Sequence, residues 1–585
     1  IGFLAQSIGG GGGYNTYVEV SDDGESAAER LYLASYYSNE GSAGGVNVNN
    51  TGQSIITLGN SAPALLAQSV GGGGGWSALT GVENTKGRLG AKGGNNAQAG
   101  AVVVNNDATI YTNGSGSHGI RIQSIGGGGG AISAFTEGLQ MGSVQIAGDI
   151  RGGEVTLSNQ GSVRTEGLGS AGVNVLSLGG GGGAVFGAAS NTITMGANSS
   201  ALVNADGGDV NLVSNGSSIV TLNDDSVGLM AASIGGGGGY LAAVRGDLLV
   251  GSNVVGSSRG GNLTIQDQAT ITTYGNSSPG LVMQTIGGGG ALTGPISISE
   301  NIVRVGNSDN SDASAGTITA NLRNPVSTAG LASPAYLAQS IGGGGSYSTI
   351  NADPGFVLLG SDGNGPMDAG DISLNLQGSL VTIGLGSQAL VVQSIGGGGG
   401  FIGDVAIDVT PIRPTAILLG SEGERLSNDA AAFSTWRAES DTLIETFETN
   451  HPTLSRRSVK LLDDLTDALI SNDIIGQGGG GNAGSIQIQS VGDRYQTTGN
   501  NSSVLLLQSI GGGGGWTLFD EPAAYAILGA IAANGGSAGS IELSNTTQLI
   551  SAGSNSPALV VQSIGGGGGA TGKSKYGTQL GATGG

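Results

Sequence analysis

The chain contains no cysteine, which excludes disulfide frameworks, thiolate nucleophiles and cysteine-ligated metal sites. Histidine is nearly as scarce. Only His118 and His451 occur, too isolated for a histidine-based triad or a histidine metal centre. Proline numbers 12 in 585 residues and no Gly-X-Y period is present, so the abundant glycine is not collagenous. Charged residues make up 11% and aromatics 4%, and 20 Lys+Arg against 42 Asp+Glu leave a formal net charge of −22. A duplex-binding surface needs a basic stripe to displace counterions, so nucleic acid is not an expected partner. No apolar run approaches the length of a membrane span. The first residues, "IGFLAQSI", begin inside a repeat rather than in a charged leader, and the chain reads as an interior piece of a longer protein.

What is present is glycine, 119 residues of it, together with short runs of Val, Ile and Leu that alternate with polar residues. Mean hydropathy is slightly positive at +0.10, so this is not a disordered polar chain. The pattern is that of many short strands joined by Gly/Asn/Ser turns. One phrase recurs ten times with small changes, a strand-like run ending in Gln-Ser-Ile or a close variant (Leu176 and Ala232 replace Gln in two units) and followed by four or five glycines, as in "LVVQSIGGGGG" at Leu390–Gly400. The spacing is about 54 residues, with one interval roughly doubled, and a fixed period of this size is the mark of a solenoid. Each unit reads as four short strands without helical periodicity.

The expected fold is an all-β, elongated parallel β-solenoid of about 54-residue repeats, spanning 1–423 and 476–585, with one or two coils per repeat. Within the strand before the glycines, one position is always apolar (Leu65, Ile120, Leu390). The next holds Leu66 and Val391 but also Arg121 and Asn174, and so reads as able to reach solvent. The signature positions follow: Gln6 and Ser7, Gln68 and Ser69, Gln123 and Ser124, Gln284 and Thr285, Gln339 and Ser340, Gln393 and Ser394, Gln508 and Ser509, Gln562 and Ser563. Gln never drifts to Lys, Glu or Asp there, so stacked amide and hydroxyl columns bonded along the solenoid are expected.

An ordered glycine costs roughly 0.5–1 kcal/mol relative to alanine. A flexible linker would nevertheless tolerate Ser, Asn or Ala, and these tracts are pure while the stretches after them vary, so ordered tracts with close backbone approach are expected. Residues just beyond the tracts (Tyr14, Trp76, Ala131, Ala184, Tyr240, Ala291, Ser346, Phe401, Trp516, Ala570) are small or aromatic. They read as packing over bare backbone, with a sugar- or partner-binding row as the other reading. No tract continues into Gly-Lys-Ser/Thr, so phosphate cradling is not indicated.

The doubled interval contains a charge-rich segment, 424–475. Phe433, Trp436, Leu443 and Phe447, then Val459, Leu462, Leu465 and Leu469, fall at helical spacing, predicting an inserted α-helical hairpin. A second insertion, Ser21–Gly44, predicts one short helix. Acids are scattered over turns and read as solvated. "GNSDNSDAS" (Gly306–Ser314) and "GSDGNGPMDAGD" (Gly360–Asp371) resemble only loose Ca²⁺ loops, so no cofactor is expected beyond possible Ca²⁺.

The string "AQSVGGGGG" (Ala67–Gly75), with "AQSIGGGG" at Ala338–Gly345, resembles the glycine-rich passenger repeats of large bacterial autotransporters, the type V secreted surface proteins of Gram-negative bacteria. The resemblance implies a β-solenoid passenger, export through the outer membrane and an extracellular, cell-surface or adhesive role. Absence of cysteine fits passage through an oxidising periplasm. The function expected is a non-enzymatic surface fibre or adhesin segment that associates with itself or with a host surface, abiotic surface or glycan. The alternatives are a β-helix carbohydrate-active enzyme, which needs carboxylates in one groove, and an ice- or surface-binding protein. The latter needs a flat threonine array, for which Thr112, Thr165, Thr273 and Thr382 lie in comparable places, with Leu222 and Ser551 interrupting.

Overall fold

The computed structural model describes the chain apart from residues 16–28, 34–35, 39–40, 79–84, 134–137, 187–191, 216–217, 243–246, 252, 297–301, 307–311, 351–355, 361–364, 405–415, 420–479, 518–522, 530–534, 572–573 and 581–585. The described residues form a parallel β-solenoid, all β and without helix. Each repeat is one coil. Its strands join up to six parallel sheets, numbered I–VI in chain order from the strand before the glycines. The first strands are β1 (Phe3–Ile8) in sheet I, β2 (Gly12–Asn15) in II, β3 (Glu29–Leu33) in III, β4 (Tyr36–Ser38) in IV, β5 (Val46–Asn50) in V and β6 (Ser54–Thr57) in VI. Sheets I, II and III contain ten strands each, V and VI nine, and IV five. Stacking is in register, so that Gln393 lies between Gln339 and Gln508. Nine steps of about 4.8 Å make sheet I about 45 Å long.

Six strands per coil is two more than the sequence suggests. The extra ones are sheet II, which starts inside the glycine tract, and the short sheet IV. The helix expected in Ser21–Gly44 is replaced in its described part by β3 and β4. The helical hairpin expected at 424–475 lies outside the described residues.

Two long apolar cores run along the axis, and a third, shorter cluster that includes Ile146, Val203 and Val254 lies on sheet IV. Sheets V, VI and I enclose the first, where Val102, Val104 and Ile110 meet Leu65, Ile120 and Ile122. The opposite face of sheet I and sheet II enclose the second, where Leu66, Val70 and Ile125 meet Trp76, Phe186 and Tyr240. Sheet I is therefore an internal wall. All six residues of its strands are buried in the interior coils, as at Ile120–Ile125 and Leu390–Ile395. Parallel strands covered on both faces read as continuous apolar runs, which is how this strand reads apart from its Gln-Ser pair.

The glycine tracts are ordered, and the tract Gly126–Gly130 shows what they pack against. The Gly127 amide donates to the Ala97 carbonyl (2.9 Å), at the corner between sheets IV and V. A Cβ on Gly128 would collide with the Cα of Gly90, the glycine that ends sheet III one coil earlier. Three backbone segments thus meet, and the two that approach most closely, at Gly128 and Gly90, carry no side chain. Gly129 and Gly130 are extended but with φ of 146° and 135°, which turns their missing Cβ vectors along the solenoid axis. A Cβ at Gly129 would collide with the carbonyl oxygen of Gly182, and one at Gly130 with that of Gly75. In the two four-glycine units, Ala291 and Ser346 fall in register with fifth glycines. There Gly290 and Gly345, in the fourth position, no longer have φ in the positive range. A side chain is accepted at the fifth position when the fourth residue changes conformation with it.

Gly129→Ala is expected to lower stability by about 3 kcal/mol or more, combining positive-φ strain with a carbonyl collision. Denaturant titration checks the magnitude, and hydrogen exchange should show loss of protection centred on the adjoining coils.

Candidate functional site

The signature glutamines form buried amide ladders. Gln284, Gln339, Gln393 and Gln508 each donate Nε2–H to the Oε1 of the next glutamine, ending at Gln562, all at 2.7 Å. Leu176 and Ala232 occupy the column below. Beyond them Gln123 donates to Gln68 in the opposite sense, because Arg121 Nε and Nη2 donate to Gln123 Oε1 (3.1 and 2.8 Å) and fix which end of the amide is free. Gln6 lies beside Gln68 in the same column.

The Ser/Thr column works differently from expectation, because its hydroxyls do not bond to one another. Ser69 Oγ donates to the Gly44 carbonyl (2.9 Å) and accepts from the Gly100 amide of the next coil (2.8 Å). Ser124, Ser177, Ser233, Thr285, Ser340, Ser394 and Ser509 repeat both bonds, and Ser563 makes the first of them. Side chains alternate along the strand, so Gln faces the second core while Ser faces the glycine corner that opens sheet V. Ser7 is in register with Ser69. A second serine column, missed in the sequence, stitches the corner before sheet I. The amide of Ser117 donates to Ser170 Oγ, that of Ser170 to Ser226 Oγ and that of Ser226 to Ser278 Oγ, at 2.9–3.0 Å.

Arg121 and Asn174 do not reach solvent. Both are fully buried, because sheet II covers the face of sheet I that carries them. They belong to a polar cluster in the second core. The Arg121 guanidinium lies 5.4 Å from the centre of the Phe186 ring, and the His118 ring lies 4.6 Å from it. His118 also meets Tyr240 edge-on at 5.7 Å. Ala131 and Ala184 stand in the aromatic column of sheet II, in register with Trp76 and Tyr240, next to the coils where sheet I carries Arg121 and Asn174. Long residues on one wall face short ones on the other. Tyr240 Oη donates to the Asp225 carbonyl. Asp225 occupies a corner position whose φ is positive in successive coils (57° here, 63° at Gly169, 50° at Ser277), and its carboxyl fits beneath Gly294.

His118 Nδ1 accepts the Ala171 amide (2.9 Å), which leaves the proton of the neutral ring on Nε2. His118 Nε2, Arg121 Nη1, Asn174 Oδ1 and Asp225 Oδ1 have no hydrogen-bond partner among the described residues. Burial, and then the Arg121 charge, hold the His118 pKa well below the ordinary imidazole value. Burial lowers the Arg121 pKa to about 9. Burial, and then Asp224, push that of Asp225 up to about 8. Near neutral pH the cluster combines a neutral imidazole and a protonated carboxyl with a buried cation.

The other candidate residues are structural. Trp76, Tyr240 and Phe401 are buried in the second core. In the four-glycine units Leu292 and Tyr347, not Ala291 and Ser346, take the aromatic register. The threonine column is longer than the sequence suggests, with Thr221 rather than Leu222 in register with Thr165. It is also buried. Thr112, Thr165, Thr273 and Thr382 each donate Oγ1–H to the carbonyl five residues on, at 2.5–2.6 Å, so they form no surface array. Several turn acids bridge coils. Asp206, Asp209, Asp368 and Asp371 accept the amides of Arg259, Asn262, Asn482 and Ser485. Of the loose Ca²⁺ loops, 307–311 and 361–364 lie outside the described residues, while Asp312 pairs with Arg259. No group of three His, Asp or Glu suited to a metal occurs among the described residues.

Comparison with protein-family models, with curated proteins and with solved structures finds no match to the chain.

Gln393→Leu is expected to cost about 2–4 kcal/mol by stranding Gln339 Nε2 and Gln508 Oε1, measured by denaturant unfolding. The Asp225 carboxyl is protonated in the folded chain up to about pH 8 but ionises near 3.8 once unfolded, so its contribution to stability falls as pH rises through that window. Asp225→Asn removes this loss. Its melting temperature should exceed that of the wild type by a margin that grows from pH 4 to about 8 and is constant above. His118 acts in the opposite sense, losing stability as pH falls below the ordinary imidazole range.

Proposed function

We propose that this chain is a non-enzymatic segment of a bacterial cell-surface or extracellular fibre or adhesin, carried outward as an autotransporter-type passenger. The observation that carries this reading is that the repeat signature is used along the axis. Gln, Ser and Gly, the most constrained residues of the unit, bond or pack from coil to coil inside the solenoid. What the repeat maintains is its own continuity, as a stalk or fibre requires.

The outer face of sheet V supports the adhesive part of the reading. Its outward positions include Asn47, Asn105, Thr264, Gln266, Thr319, Gln487 and Gln489, and Glu542 is the one charged residue among them. Amides and hydroxyls repeating at the strand spacing suit hydrogen bonding to a glycan, an abiotic surface or the equivalent face of another copy.

Antibodies to the chain should label intact cells of the producing organism as strongly as permeabilised ones, and labelling confined to permeabilised cells would remove the surface assignment. Incubation with a panel of soluble polysaccharides should release no reducing ends above the blank. Release abolished by substituting a carboxylate would establish the enzymatic alternative instead.

A further inference from the structure

The polar cluster of the second core contains a charge that the surrounding chain does not balance. Arg121 is fully buried, its Nε and Nη2 are held by Gln123, and no carboxylate forms an ion pair with it among the described residues. Asp225 cannot supply the missing charge, because it sits two coils away, about 10 Å along the axis, in the slot beneath Gly294. Two open groups contact the same ring, the Arg121 guanidinium at 5.4 Å and the His118 imidazole at 4.6 Å from the centre of Phe186, and the Arg121 charge acts directly on the imidazole. Both are donors. Guanidinium has no acceptor, and His118 has used Nδ1 to accept from Ala171. A buried cation without a partner costs several kcal/mol, a loss that a water molecule solvates only in part and an anion cancels.

We propose that the second core binds one small monovalent anion, of halide size, between Arg121 Nη1 and the Nε2–H of His118, with Phe186, Ala131 and Ala184 as its apolar surround. The site is internal to the solenoid and independent of any surface ligand. Its occupant neutralises Arg121 and locks the coils on either side, because Arg121 also sets the orientation of Gln123.

Crystals of the full chain grown in sodium bromide and measured at the bromine absorption edge test this directly. An anomalous peak within hydrogen-bond distance of Arg121 Nη1 and His118 Nε2 is expected. A water molecule, or a carboxylate of this chain, in that position overturns the proposal. In solution at constant ionic strength, replacing gluconate by bromide should raise the melting temperature saturably in the wild type. Arg121→Met should abolish that dependence. His118→Gln, a milder change should Arg121→Met not fold, should weaken the apparent bromide affinity about tenfold. A bromide response equal in wild type and His118→Gln, or none in the wild type, also overturns it.

Discussion

Stacking in register is the constraint on which the rest of the molecule depends. Each residue lies about 4.8 Å from its counterpart in the next coil, so a side chain has to be compatible with a copy of itself. Aliphatic groups satisfy this by packing, amides by donating at one end and accepting at the other, and hydroxyls by bridging two backbones. Like charges do not. The low charge content of the chain follows, and so does the placement of acids such as Asp206 and Asp371 at corners, where water screens them and the amide of the next coil occupies one oxygen.

Glycine solves a problem of crossing rather than of flexibility. A single coil that encloses two cores needs an internal wall, and the chain has to turn back against that wall without leaving a gap. At Gly126–Gly130 the turn is made where the end of sheet III and the corner before sheet V also arrive. The closest of these approaches, Gly128 against Gly90, is possible only because neither has a side chain. The positive φ of the fourth and fifth glycines aligns their hydrogen positions with the axis, where the neighbouring coil leaves no further room.

The period, the single parallel stack, the ordered tracts and the buried glutamines were legible in the sequence because each follows from repetition read against hydropathy. Sheet II was not. It begins within glycines, which have no hydropathic face, so nothing indicated that the Leu66/Arg121 position would be covered. For the same reason Arg121 and Asn174 read as solvent-facing, although Ala131 and Ala184 were already recognisable as small residues in an aromatic column. Once strands I and II are known to face each other, that exchange of sizes identifies the cluster. The Ser column misled in a different way. The residue type was right, but its partner is a glycine backbone some 24–25 residues earlier, a contact between corners that periodicity alone does not encode.

The two amide ladders point in opposite directions, Gln123 toward Gln68 and Gln284 toward Gln339. In the language of ferroelectrics, the column has two polarised domains with a wall between them at Leu176 and Ala232. An unbroken run of glutamines would bring two oxygen ends face to face at that wall. The repeat instead interrupts the column with apolar residues and sets a guanidinium, all donor, against the exposed oxygen of Gln123. Arg121 is thus a defect that terminates one polarisation domain, and it gives a direction to a stack whose backbone geometry is otherwise the same from coil to coil.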